Sequence, residues 1–334
     1  MKAAILGAGF IAEFHAQGYC HAQDVELCAV CDTDEGKARA LAQRYGCAWY
    51  TDAKMLLEQE RPELVSICLP TYLHREYAVM ALLTGAHVLC EKPLALTLED
   101  CEAIAQAAEQ AGRIVMTGQV LRWWPEYTAI AGEIRRLGAP LFVRAQRLQH
   151  ASRPDSWHLK RELGGGALFD LFVHDMDFLL GLFGTDAEVV SAHGSRGEGD
   201  SWRRVSAMLR FRDGTSAFVE ASNQMPAGYP FTAALHAQYQ KAAIDYRFRT
   251  AVNIGLKAKA ETEFLLYDQG KVTALDPHDD AQAKAFRDEI AAFVKSVRSG
   301  VPALPIEESV AVMRVIHNVK ALIEAQEDSH GLSV

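Results

Sequence analysis

Apolar and polar positions along the first 120 residues alternate between two rhythms. Short, nearly unbroken apolar runs lie at 2–6, 25–31, 64–69, 87–90 and 114–119, the first four closed by glycine, proline or a charged residue. Between them, stretches at 10–19, 74–84 and 97–111 space their apolar residues as helices do. Strands apolar on both faces, alternating with helices, predict a parallel sheet covered on both sides. From about residue 141 the rhythm changes to longer alternating runs. Those at 205–211 and 216–222 flank Asp213-Gly214, a hairpin signal, and further runs lie at 231–240, 242–249 and 262–267. They predict an open, mostly antiparallel sheet of six or more strands. Helical stretches are expected at 167–180, 281–298 and 307–326. The expected fold class is α/β: a doubly wound parallel sheet in residues 1–122, then an α+β domain in 123–334 whose last helices can pack back on the first.

Composition narrows the range of partners. A chain of 334 residues suits two domains, and 49% hydrophobic with 23% charged residues is the balance of a globular protein with a sizeable core. The net charge of −9 leaves no basic field for nucleic acid or anionic lipid. No apolar run reaches the length of a membrane span. The start, Met1 to Leu6, runs directly into a glycine turn without a leader pattern, so a cytoplasmic location is expected. Seven cysteines, scattered through strand-like and helix-like runs, read as buried hydrophobes of a reduced compartment. Cys28 and Cys31 form a C-x-x-C, but residues three apart on a strand point to opposite faces, which disfavours a metal or redox pair.

Chemistry gathers at the expected strand ends. Gly7-Ala8-Gly9-Phe10-Ile11-Ala12 joins the first strand to the first helix as G-x-G-x-x-A, the turn that brings backbone and a helix N-terminus against a dinucleotide pyrophosphate. Asp32 ends the next strand, where its carboxylate can accept from both adenine-ribose hydroxyls and repel a 2′-phosphate, so NAD is expected over NADP. Candidate cofactor residues are Gly7, Gly9, Phe10, Ile11 and Asp32, then Leu69, Pro70, Thr71 and His74 after the fourth strand, and Glu91 and Lys92 after the fifth. Arg122 and Trp123, after the sixth strand, and Trp157, within 153–158, are candidate substrate contacts. Taken singly, each has a plainer reading as a cap, a packing aromatic or a surface lysine.

Three glycines, Gly164 to Gly166, precede the apolar stretch 167–180 and suggest a flexible entry to one long helix. On a continuous helix Asp170, His174 and Asp177 fall within a wedge of about 60°, with Asp175 off it. Buried carboxyls and an imidazole need partners, so this wedge should face water, a cation or a polar site. The plainer reading is a solvated face. A metal set is not expected, since no further ligand cluster lies nearby.

Taken in order, G-A-G-F-I-A, P-T-Y-L-H, E-K-P and G-G-G-A-L-F-D-L-F-V-H-D-M-D resemble the Gfo/Idh/MocA oxidoreductases over nearly the whole chain, in the branch of inositol and other polyol or sugar dehydrogenases. The resemblance implies an N-terminal Rossmann domain and NAD-dependent oxidation of a secondary hydroxyl on a sugar, polyol or cyclitol. It also implies a catalytic group of Lys92, Asp170 and His174 that touches substrate, and a cis Lys92–Pro93 bond. Which of Lys92 and His174 is the base stays open. Two positions depart from the family pattern, Tyr72 and Phe172. An uncovered sheet face would suit a homodimer or homotetramer. Three other readings remain: an NAD-dependent glycosidase working by transient oxidation and elimination, a non-catalytic NAD-dependent sensor, and a reductase of an imine or conjugated ring.

Overall fold

The computed structural model describes residues 1–150, 156–197, 199–250 and 260–330. The chain forms two compact units, Met1–Trp124 with Asp280–Val310, and Pro125–Asp279 with Ala311–Val334.

The first unit opens with β1 (Lys2–Leu6), α1 (Phe10–His21), β2 (Glu26–Cys31), α2 (Glu35–Tyr45), β3 (Ala48–Tyr50) and α3 (Ala53–Glu60). It continues with β4 (Leu64–Ile67), a 3-10 turn at Thr71–Leu73, α4 (His74–Leu83), β5 (His87–Glu91), α5 (Leu98–Ala111) and β6 (Val115–Gly118). The strands are parallel in the order β3-β2-β1-β4-β5-β6. This is the doubly wound order whose reversal, between β1 and β4, opens a crevice at the carboxyl ends of the strands. The helices start where the sequence supplies acceptors: Asp34, Asp52 and Thr97 receive the Lys37, Met55 and Asp100 N–H groups.

The second unit contains α6 (Pro125–Leu137), β7 (Phe142–His150), a 3-10 turn at Trp157–Leu159, α7 (Ala167–Asp170) and α8 (Phe172–Phe183). Then come β8 (Glu188–Arg196), β9 (Trp202–Arg210), β10 (Ser216–Met225), β11 (Phe231–Gln238), β12 (Ala242–Thr250), β13 (Ala260–Asp268) and β14 (Lys271–Ala274). The sheet runs β14-β13-β12-β11-β7-β10-β9-β8, antiparallel except for β7 beside β10. Asp213-Gly214 turns β9 into β10 as the sequence indicates, with Asp213 Oδ1 accepting the Thr215 N–H at 2.9 Å.

Two helices close the chain, α9 (Ala281–Ser299) and α10 (Ile306–His330). The first belongs to the first unit, where Phe286 stacks on Phe14 of α1 at 4.8 Å and Ile290, Phe293 and Val294 share a core with Ala12, Ala16 and Tyr19.

Three expectations change. Strands β3, β8 and β14 and helices α2, α3 and α6 add to those read from the sequence. The stretch 167–180 is not one helix: α7 ends at Asp170, and Leu171, with φ −103° and ψ −50°, separates it from α8. The glycines before it serve close packing rather than flexibility. Gly166 has φ +74°, and a Cβ there would lie 2.2 Å from the Trp202 carbonyl oxygen. All seven cysteines are free. Cys28 and Cys31 are both buried, and burial pushes each thiol up to about 11. Among the described residues no helix is long and apolar enough to cross a membrane.

Candidate functional site

The carboxyl end of β1 is built by backbone. Gly7 has φ +100°, and a Cβ would lie 2.2 Å from the Cys68 carbonyl oxygen, so only glycine fits between β1 and the end of β4. Gly9 caps α1 without a side-chain bond, and a Cβ there would meet nothing within 4 Å. The first turn of α1 therefore offers N–H groups beside open space, the environment an anion prefers. Phe10 is exposed beside it and Ile11 half-buried. Asp32, one residue past β2, accepts the Ala8 N–H at Oδ2 (2.8 Å) and the Asp34 N–H at Oδ1 (2.9 Å). The glycine turn and the acidic strand end thus meet, as a dinucleotide cradle requires.

Two neighbouring strand ends continue this edge. After β4, Leu69 and Pro70 are half-buried and Thr71 is buried at the start of its 3-10 turn. His74 is placed differently from a direct cofactor contact. Its ring is buried, with Nδ1 2.9 Å from the Pro93 carbonyl oxygen and Nε2 2.9 Å from that of Leu69. Burial pushes the imidazole below its ordinary value, against the pull of these carbonyls. The side chain joins the loop after β4 to the loop after β5. The Lys92–Pro93 bond is cis. Glu91 also turns inward: it is buried, and Oε2 accepts the Lys92 N–H at 3.1 Å while Oε1 meets His15 Nε2 at 3.0 Å. Lys92 itself is half-buried. After β6, Arg122 donates through Nη1 to Glu308 Oε2 at 2.8 Å, and Trp123 packs half-buried against the core.

In the second unit the glycine run pins the 3-10 turn Trp157–Leu159. The Gly166 N–H donates to the His158 carbonyl at 2.9 Å, and a Cβ at Gly164 would lie 2.6 Å from the His158 Cα. Trp157 and His158 stack at 3.7 Å, and His158 Nδ1 comes within 3.9 Å of Asp170 Oδ2. Trp157 and Asp170, both singled out in the sequence, are thereby brought together. His158 joins them. Residues 153–155, also considered for substrate, lie outside the described residues. Asp170 and His174 are half-buried, whereas Asp177 is fully buried. The interruption at Leu171, still right-handed at φ −103° and ψ −50°, falls inside the expected three-residue wedge, between Asp170 and His174. Asp175 instead forms a buried ion pair, its Oδ1 2.9 Å from Arg147 Nη2 and its Oδ2 3.1 Å from Nε, with Tyr127 on the same guanidinium. This ties α8, and with it His174, to β7. Phe172 is fully buried in the interior of its unit, whereas Tyr72 is exposed.

Sequence reading missed His15, Tyr19 and Ser66, which are joined to Glu91. The signal was present: Ala12, His15, Ala16 and Tyr19 fall at i, i+3, i+4 and i+7, the inward stripe of α1. Among the described residues, one group has donor atoms all within 4.8 Å of one another, namely His15, Glu91 and Glu289, all buried.

Residues 1–119 match the family described as "Oxidoreductase family, NAD-binding Rossmann fold", and residues 133–244 match the "GFO/IDH/MocA C-terminal domain". The chain belongs to the Gfo/Idh/MocA oxidoreductase family. Among its relatives in this family, the D-glucoside 3-dehydrogenase of Escherichia coli is 34% identical over 58% of this chain and 57% of its own. The myo-inositol 2-dehydrogenase of Thermotoga maritima is 25% identical over 90% of both. The crystal structure of an aldose-aldose oxidoreductase from Caulobacter crescentus superposes with a TM-score of 0.83 over 98% of each chain at 21% identity, which establishes the shared fold. The Gfo/Idh/MocA chain is thus an oxidoreductase whose Rossmann unit is made for a nicotinamide cofactor.

Proposed function

We propose that the protein is an NAD-dependent dehydrogenase that oxidises a secondary hydroxyl of a sugar, polyol or cyclitol. The observation that carries this reading is the placement of Gly7, Asp32, Thr71 and Lys92 at the carboxyl ends of adjacent parallel strands, β1, β2, β4 and β5. Relatives named as glucoside and inositol dehydrogenases support the substrate class. The residues present fit a dinucleotide: open space at Gly9, uncapped N–H groups on α1, and a carboxylate, Asp32, beside the glycine turn. Gly7, Gly9, Phe10, Ile11 and Asp32 would hold the nucleotide, with Leu69, Pro70 and Thr71 along the same edge. NAD is preferred over NADP because the Asp32 carboxylate repels a 2′-phosphate.

When bound, the nicotinamide supplies the hydride acceptor. Removing hydride from a carbinol carbon releases a hydroxyl proton. In this reading His174 takes or relays that proton and Lys92 hydrogen-bonds the same oxygen. Asp170 orients the substrate or the imidazole, and Arg122, Trp123 and Trp157 read the remainder of the substrate. No metal is assigned to this chemistry.

The test is a panel of cyclitols, hexoses, amino sugars and acidic sugars incubated with NAD while reduced cofactor is followed by absorbance. Accumulation of NADH with at least one secondary alcohol is expected. Release of a free sugar from glycosides without net NADH would replace this reading with the glycosidase one. Tight NAD binding without turnover of any panel member would favour a sensor.

A further inference from the structure

A buried polar chain in the first unit leads to the backbone of Lys92 and is used by no step above. Tyr19 and His15 project from α1, Ser66 from the middle of β4, and Glu91 from the end of β5. The Tyr19 hydroxyl lies 2.8 Å from Ser66 Oγ, which lies 2.9 Å from His15 Nδ1, and His15 Nε2 lies 3.0 Å from Glu91 Oε1. Glu91 Oε2 accepts the Lys92 N–H at 3.1 Å. His15 and Tyr19 are fully buried, as is Ser66. Gly118, paired with Glu91 across β5 and β6, leaves room for the carboxylate, since a Cβ there would stand 3.1 Å from Oε1.

The hydrogen bonds have one direction that satisfies every member. Glu91 is the acceptor at both oxygens, so His15 donates from Nε2, which leaves Nδ1 to accept the Ser66 hydroxyl proton. Ser66 Oγ then accepts from Tyr19, a phenol that burial keeps protonated. Ordinary packing would fill this interior with apolar side chains. A fully satisfied chain of polar groups instead fixes one arrangement, because any slippage strands a donor without water.

We propose that His15 is a positioning residue for Lys92: by holding Glu91 it fixes the peptide from which the lysine reaches the reacting oxygen. This rests on the reading of Lys92 given above. Glu289, whose carboxyl completes the buried trio with His15 and Glu91, lies beside the chain. A metal held by this trio would need the Nε2 lone pair, whereas the hydrogen-bonded assignment uses that nitrogen as a donor.

The experiment is a mutant cycle on the full-length enzyme with the substrate found in the panel. His15→Ala is expected to lower kcat about 10- to 100-fold, the scale of a misplaced reacting group, with KM and NAD affinity kept. His15→Gln should restore most of the loss, because its amide nitrogen can donate to Glu91 and its oxygen can accept from Ser66. In a Lys92→Ala background, His15→Ala should add almost nothing. Equal losses in both backgrounds would overturn the proposal, as would a Gln variant no better than Ala. Stoichiometric divalent metal in the native protein, absent from His15→Ala, would overturn it too. If His15→Ala does not fold, Ser66→Ala removes only the hydroxyl and should show a smaller kcat loss with the same dependence on Lys92. Near-normal turnover of Lys92→Ala would sink the catalytic reading and this inference together. A large Lys92 loss with an additive cycle would sink the inference alone.

Discussion

Both carboxylate oxygens of Asp32 accept backbone N–H groups, from Ala8 and Asp34, so the side chain proposed to meet the ribose also fastens the glycine turn. Asp32→Ala is therefore expected to raise the KM for NAD and to narrow the NAD/NADP preference together, as measured by kcat/KM with each cofactor. Unchanged selectivity would contradict the ribose role. Lys92→Ala and His174→Ala should each lower turnover by about 10²- to 10⁴-fold, the usual worth of a general acid or base. NAD binding, followed by fluorescence, should be largely kept. At this scale the sequence was informative where residues form contiguous motifs. It was silent where function comes from residues far apart in the chain. Glu91 is legible as part of E-K-P, but its inward turn toward His15 depends on two elements separated by 76 positions. The ion pair of Arg147 and Asp175 was hidden likewise, since each residue alone resembles an exposed charge.

Elements whose periodicity is set by burial on both faces were the easiest to read. Five strands of the parallel sheet and helices α1, α4 and α5 follow from apolar runs, whereas the short β3 and its neighbours α2 and α3, capped by Asp34 and Asp52, were not read. Half-exposed β8 carries no such signal, and the break at Leu171 lies inside an apolar run that gives no stop sign. Two substitutions examine how these elements hold Asp170 and His174. Asp175→Ala leaves the Arg147 guanidinium buried without its carboxylate and should cost about 3–5 kcal/mol, seen as a lower unfolding midpoint of the second unit. Gly166→Ala forces a Cβ toward the Trp202 carbonyl at a positive φ. A cost of at least about 1 kcal/mol is expected, with reduced turnover at unchanged NAD affinity because Asp170 follows directly in α7. If NAD affinity fell instead, the effect would not be local to the second unit.

The two-sheet architecture was legible because the hydrophobic rhythm changes once, near residue 141. The return of α9 to the first unit was expected as a return of the last helices, but its contacts with Phe14 and Tyr19 were not, because amphipathic spacing shows that a helix has an oily face and not which side chains receive it. The wide mixed sheet of the second unit leads to the expectation of a homodimer or homotetramer joined through that sheet. Sedimentation at micromolar concentration should give two or four times the monomer mass, and a monomer would refute it. A different consequence follows from the first unit's being made of two separate stretches of chain. A ribosome that has just finished β6 has produced every strand of the nucleotide sheet, but not Phe286, Ile290 or Phe293, which complete the core around Phe14 and Tyr19. At about 5–20 residues per second the missing helix arrives on the order of ten seconds later. During that interval the side of α1 that meets α9 lacks its cover, and a gene fragment ending after Trp124 would leave it so permanently.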